Sequence, residues 1–230
     1  MKRNLIITGA GALVVAVALI GGTMAANNAQ TAEAAQAEIS VNGLQGGIEV
    51  TSTDPIFDGA SGINATPGGD YKIERCVRNS GGKLDYDAYF KAVIYKSWLD
   101  SNGEYIDIAE TDIAEDRLYT NGQKYDEVEV GDVVNGWLVS YVDDEEIDLF
   151  YTQPVPVGAA STNFLEGISF AENLDNRYCG ASYDLQFEIT AVQANHGTDA
   201  FASALGLYPI MGADGKTIVA VSEDKPVQAE

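Results

Sequence analysis

The sequence predicts an all-β, jelly-roll-like antiparallel β-sandwich with one or two short helices, and three observations carry that prediction. Residues 183–191 alternate, with Tyr183, Leu185, Phe187, Ile189 and Ala191 on one face and Asp184, Gln186, Glu188 and Thr190 on the other. A period of two is the signature of a half-buried strand. Asn-Gly occurs four times, at Asn42, Asn102, Asn121 and Asn135, and this pair suits the positive φ angles of tight hairpin turns. The 12 Tyr, together with many Val and Ile, favour sheet over helix. At 230 residues the chain fits one well-buried domain of ordinary size.

The first 25 residues read as a secretory leader. Lys2 and Arg3 form a positive start, Leu5 to Ile20 is an apolar run, and Gly21-Gly22-Thr23-Met24-Ala25 supplies small residues for cleavage. An uncleaved anchor is the alternative, because no charge falls between Arg3 and Glu33. Ala35-Gln36-Ala37 is a second candidate cleavage site. Residues 26–37 are low in complexity and poor in large apolar groups, which reads as a flexible arm. The sandwich domain is expected over 38–210, followed by a C-terminal strand and tail over 211–230.

Within the domain, short apolar stretches at Ile39 and Val41, at Ile48 and Val50, and at Tyr71, Ile73 and Val77 read as strands. Residues 88–98 are apolar on both faces, with Phe90, Ala92, Ile94 and Trp98 on one and Tyr89, Val93 and Tyr95 on the other, which places that strand in the middle of a sheet. Asp132-Val133-Val134, Asn135-Gly136 and Trp137-Leu138-Val139 form a predicted two-residue hairpin. Further strands are expected at 125–130, 137–142 and 147–152, the last ended by Pro154 and Pro156. Helices are expected only at 111–118 and 199–205.

The 35 acidic residues outnumber 13 basic ones for a net charge of -22, and loss of Lys2 and Arg3 with a leader takes it to -24. Nucleic acid is thereby excluded as a partner, since phosphate binding needs a basic footprint. The chain has one histidine, His196, so neither a two-histidine zinc helix nor a three-histidine zinc site can be assembled. No Gly-x-Ser-x-Gly elbow is present. Asp143-Asp144-Glu145-Glu146 with Asp148 could offer oxygen ligands to calcium, but it lacks the Gly-containing twelve-residue spacing and reads better as a solvated hairpin turn. No catalytic, cofactor or metal site is expected. Cys76 and Cys179 are an even pair that an oxidising compartment could join. A bridge of that span contributes roughly 4–5 kcal/mol in the chain-entropy model. Against it, Cys76 shares strand parity with Lys72, Glu74 and Arg78.

Residues 176–197, NRYCGASYDLQFEITAVQANHG, resemble the last long strand of the TasA/camelysin family of secreted fibre proteins. Pro67-Gly68-Gly69-Asp70-Tyr71-Lys72 and Val77-Arg78-Asn79-Ser80-Gly81 are similar to that family's turn, strand and turn, Phe90 to Trp98 to its next strand, and Pro154 to Phe170 to its crossing before the final strand. The Gly-Gly-Thr-x-Ala ending also resembles leaders that accompany the family. The resemblance implies an exported jelly roll that polymerises head to tail into cell-surface or biofilm-matrix filaments, each subunit's N-terminal arm completing the next subunit's sheet. It places Ile39, Val41 and Leu44 as candidate donor residues. This arm departs from the family pattern in having no large apolar residue before Ile39. Camelysin-type members have been described as metallo-endopeptidases, a reading this chain's single histidine supports poorly. A surface adhesin or carbohydrate-binding module is the other alternative.

Overall fold

The computed structural model describes residues 14–18, 29–33, 48–52, 63–64, 67–81, 86–100, 102, 104–106, 116–174, 178 and 181–225. In chain order the first strands are β1 (Val14–Ala18), β2 (Ala29–Glu33), β3 (Ile48–Ser52), β4 (Ile63–Asn64), β5 (Asp70–Asn79), β6 (Ala88–Leu99), β7 (Tyr105–Ile106) and β8 (Asp116–Thr120). They continue as β9 (Gln123–Lys124), β10 (Val133–Val134), β11 (Trp137–Val142), β12 (Glu146–Tyr151), β13 (Leu165–Phe170) and β14 (Ser182–Gln193). Helix α1 (Gly197–Leu205) then leads to β15 (Tyr208–Met211) and β16 (Ile218–Ser222).

These strands form an all-β, sandwich-like fold. The larger sheet runs β10-β11-β12-β6-β14-β1-β2, with β4 also on β14 and β7 also on β6; the smaller runs β3-β5-β13-β8-β9. Pairing is antiparallel throughout except between β1 and β14. The main core lies between the sheets, where Phe90, Ile94, Trp98, Phe187 and Ile189 of the larger meet Ile73, Val77, Leu118, Leu165, Ile168 and Phe170 of the smaller. Trp98 is fully buried in an aromatic group with Phe170, Tyr178 and Tyr183, their centroids 4.6–5.3 Å from its ring. A second, smaller core lies on the larger sheet's outer face, where Tyr89, Leu138, Phe150 and Val192 are covered by Ala200 and Phe201 of α1 and by Ile218 of β16. The C-terminal stretch therefore contributes a packed strand.

Two of the Asn-Gly turns do what their chemistry predicts. Asn121-Gly122 joins β8 to β9 with φ of 49° and 72°, and Asn135-Gly136 joins β10 to β11 with φ of 50° and 83°. Asn42-Gly43 lies outside the described residues. The strand at 88–98 is mid-sheet as expected, between β12 and β14.

Three local expectations are corrected. The helix expected at 111–118 is absent from its described part, where Asp116–Thr120 is a strand paired with β13. Buried Leu118 between exposed Arg117 and half-buried Tyr119 follows a period of two, and the Asn-Gly turn folds the chain back as a hairpin. The strand expected at 125–130 is a 3₁₀ turn at Tyr125–Glu127 instead. Its buried residues Tyr125 and Val128 are spaced by three, and the Tyr125 hydroxyl donates to the Phe164 carbonyl at 2.6 Å. Finally, the polar face of 183–191 is not solvated: Asp184, Gln186 and Thr190 are all buried.

Candidate assembly edge

Strand β14 pairs with β6 over its whole length, from Ser182 opposite Leu99 to Gln193 opposite Ala88. Its alternating sequence makes this possible, because one face delivers Tyr183, Leu185, Phe187, Ile189 and Ala191 to the main core. The other edge of β14 is built differently. Ser182 and Tyr183 pair with β4, and Glu188 to Val192 pair with β1, which runs parallel from Val14 opposite Glu188 to Ala18 opposite Val192. Among the described residues no strand lies against Asp184 to Phe187 on that side. β2 then pairs antiparallel with β1, Glu33 facing Val14 and Ala29 facing Ala18. The larger sheet is thus extended past its longest strands by two segments from the chain's N-terminal region.

A strand edge acts through its backbone: unpaired N–H and C=O groups accept another strand, and side-chain alternation sets which strand fits. The outer face beside this edge is polar. Asp184 accepts a hydrogen bond from Gln186 Nε2 at 3.1 Å, and Tyr95 Oη donates to Glu188 Oε2 at 3.4 Å. Lys91 Nζ lies 2.6 Å from Asp148 Oδ2 and 5.9 Å from the Phe150 ring centroid. These lateral contacts partner Asp184, Gln186, Glu188 and Lys91 along the sheet, while the second oxygen of Asp148, Oδ1, is buried without a hydrogen bond.

The same crowding perturbs titration. Burial first, and then the Asp148 carboxylate, push Glu146 up from 4.5 to about 7, against the pull of Lys91. Burial and the adjacent Glu188 push the Tyr95 hydroxyl upward as well. In the acidic turn between β11 and β12, Asp143 Oδ1 accepts from the backbone N–H groups of Glu145 and Glu146 at 2.8 and 2.7 Å. That carboxylate holds the turn together. Among the described residues no group of three or more His, Cys, Asp or Glu side chains converges as metal ligands.

The donor residues expected from sequence, Ile39, Val41 and Leu44, lie outside the described residues, as does Cys179. Cys76 is half-buried on β5, opposite Thr51 of β3. Its neighbour Arg75 holds the surprise: it shares the core-facing parity of Ile73 and Val77, is buried, and stands 5.8 Å from the centroid of Phe187. Within the expected arm, Ala29–Glu33 is a strand. The pairing of Glu188–Val192 with β1 was not identifiable from sequence, because alternation reports which face is buried and says nothing of which edge is paired. Comparisons with protein-family models, curated proteins and solved structures found no match to this chain.

Proposed function

We propose that this protein is an exported structural subunit that polymerises head to tail into cell-surface or matrix filaments, the N-terminal segment of one copy completing the larger sheet of the next along β14. One observation carries the reading: the outer edge of β14 at Glu188–Val192 is filled by a strand from far upstream, Val14–Ala18, within the stretch that reads as a cleavable leader. Loss of that leader leaves a long, otherwise well-packed strand with an open ladder. Each backbone hydrogen bond restored by an incoming strand contributes about 0.5–1.5 kcal/mol, and a head-to-tail contact that does not close grows a filament. The strong negative charge keeps unassembled copies soluble.

The test is negative-stain electron microscopy of the chain starting at Ala26 beside the chain starting at Gln45, over a range of concentrations and salt. Filaments in the longer form alone are expected. Identical behaviour of the two forms contradicts donation by residues 26–44.

A second reading, a surface module that binds sugars, draws on the exposed Tyr105 and Tyr141, 51% and 46% accessible, beside the polar outer face. Glycan binding by a protein that never forms filaments is the outcome that favours it.

A further inference from the structure

We infer that the leader strand is a placeholder: Val14–Ala18 holds the acceptor edge and the arm apart within one chain, and its removal releases both at once. The inference rests on the filament reading above and adds its regulation.

The sheet order β14-β1-β2 puts the leader strand between the two surfaces that assembly needs. On one side β1 covers Glu188–Val192, and on the other it engages Ala29–Glu33, the strand inside residues 26–37. A cut after Ala25 removes the middle strand and leaves β14 and the arm unpaired together. Composition explains why the leader prevails while it is attached. Val-Val-Ala-Val-Ala has three β-branched residues, whereas Ala-Gln-Thr-Ala-Glu has only Thr31 and carries a charge, so the leader is the better strand for this edge. It is also tethered to its site, which gives it a high effective concentration against any neighbour.

Direction explains why the freed edge takes a second copy. β1 runs parallel to β14 and β2 runs antiparallel to β1, so the chain's own arm lies antiparallel to β14. To occupy the vacated parallel position it would have to reverse, while its C-terminal end is bound to lead into β3 on the other sheet. The arm of another copy arrives without that constraint.

The experiment uses the full chain, the full chain with Ala16→Pro, and a full chain carrying an inserted protease site after Ala25 that is cut after folding. Proline removes a ladder donor from the middle of β1 and cannot sit in an interior strand. Backbone amide exchange at Glu188–Val192 and filament formation by electron microscopy are read on each. The full chain is expected to protect Glu188–Val192 and form no filaments. Ala16→Pro and the cut chain are expected to exchange there at least tenfold faster at low concentration, and to form filaments as concentration rises. Filaments in the uncut parent at the rate of the cut chain overturn the placeholder while leaving the filament reading standing. Faster exchange at the edge with no filaments from either released form overturns the filament reading and this inference with it.

Discussion

The two ends of the larger sheet are finished in different ways. At one end β10 has two residues, turned back by Asn135-Gly136, and its neighbour β11 is fixed by Trp137, which is fully buried, packs on Tyr151 and Phe164, and donates from Nε1 to the Thr162 carbonyl at 3.0 Å. A short strand and a tight turn blunt that edge. At the other end a twelve-residue strand is covered by five residues of β1 and two of β4. The first edge is closed by residues local in sequence; the second is closed by pairings that span 118 residues for Ser182 with Asn64 and 174 for Glu188 with Val14, all of them long-range. On the filament reading proposed above, it is the distant strand and not the local hairpin that is exchanged for a neighbour's.

The largest expected effect that sharpens this contrast is at the closed end. Trp137→Ala should lower stability by about 3–5 kcal/mol, read as a shift in the urea midpoint, because it removes the anchor that ties β11 to the core. A loss under about 1 kcal/mol would mean that this edge is not locked as described.

Next in size are the two hairpin glycines. Gly136 has φ of +83°, and a Cβ there would meet the Tyr151 ring at 3.1 Å, whereas Gly122 has φ of +72° and open space around it. Left-handed backbone costs about 1–2 kcal/mol for a residue with a side chain. Gly122→Ala should show that cost alone, and Gly136→Ala more than it. Equal losses would remove the packing component from the closed edge.

The smallest effect is a change in pH profile at β12, between the two edges. Folding raises the Glu146 carboxyl from 4.5 to about 7, so the folded protein keeps a proton that the unfolded chain has released. The stabilising contribution of this group is full below about 4.5 and is lost as pH rises through about 7. Glu146→Gln should flatten stability across that window when unfolding is followed at several pH values. An unchanged slope would place the pH dependence elsewhere.

What could be read in the sequence was set by local physics. β14, β6 and β11 are legible because alternation or two-sided apolarity survives any tertiary context, and the Asn121 and Asn135 turns because few residues other than glycine tolerate positive φ. Residues 116–120 were harder: acidic and apolar residues at mixed spacing suit a short helix until pairing with β13 decides the matter. Arg75 was not singled out by the sequence at all. Its charge argues for the surface, but strand parity with Ile73 and Val77 carries it into the core beside Phe187. The buried carboxylate and amide of Asp184 and Gln186 depend on partners along the same face, and no single-strand pattern reveals those. The edge itself is a pairing of residues 14–18 with 188–192, which is a fact of three dimensions only.

The most direct test of the account is amide exchange on the leader-free chain from Ala26, compared between dilute monomer and concentrated sample. The account predicts new protection at Glu188–Val192 on concentration and no change at Val133–Val139. Protection that appears at the β10–β11 end, or at neither end while filaments form, would contradict it.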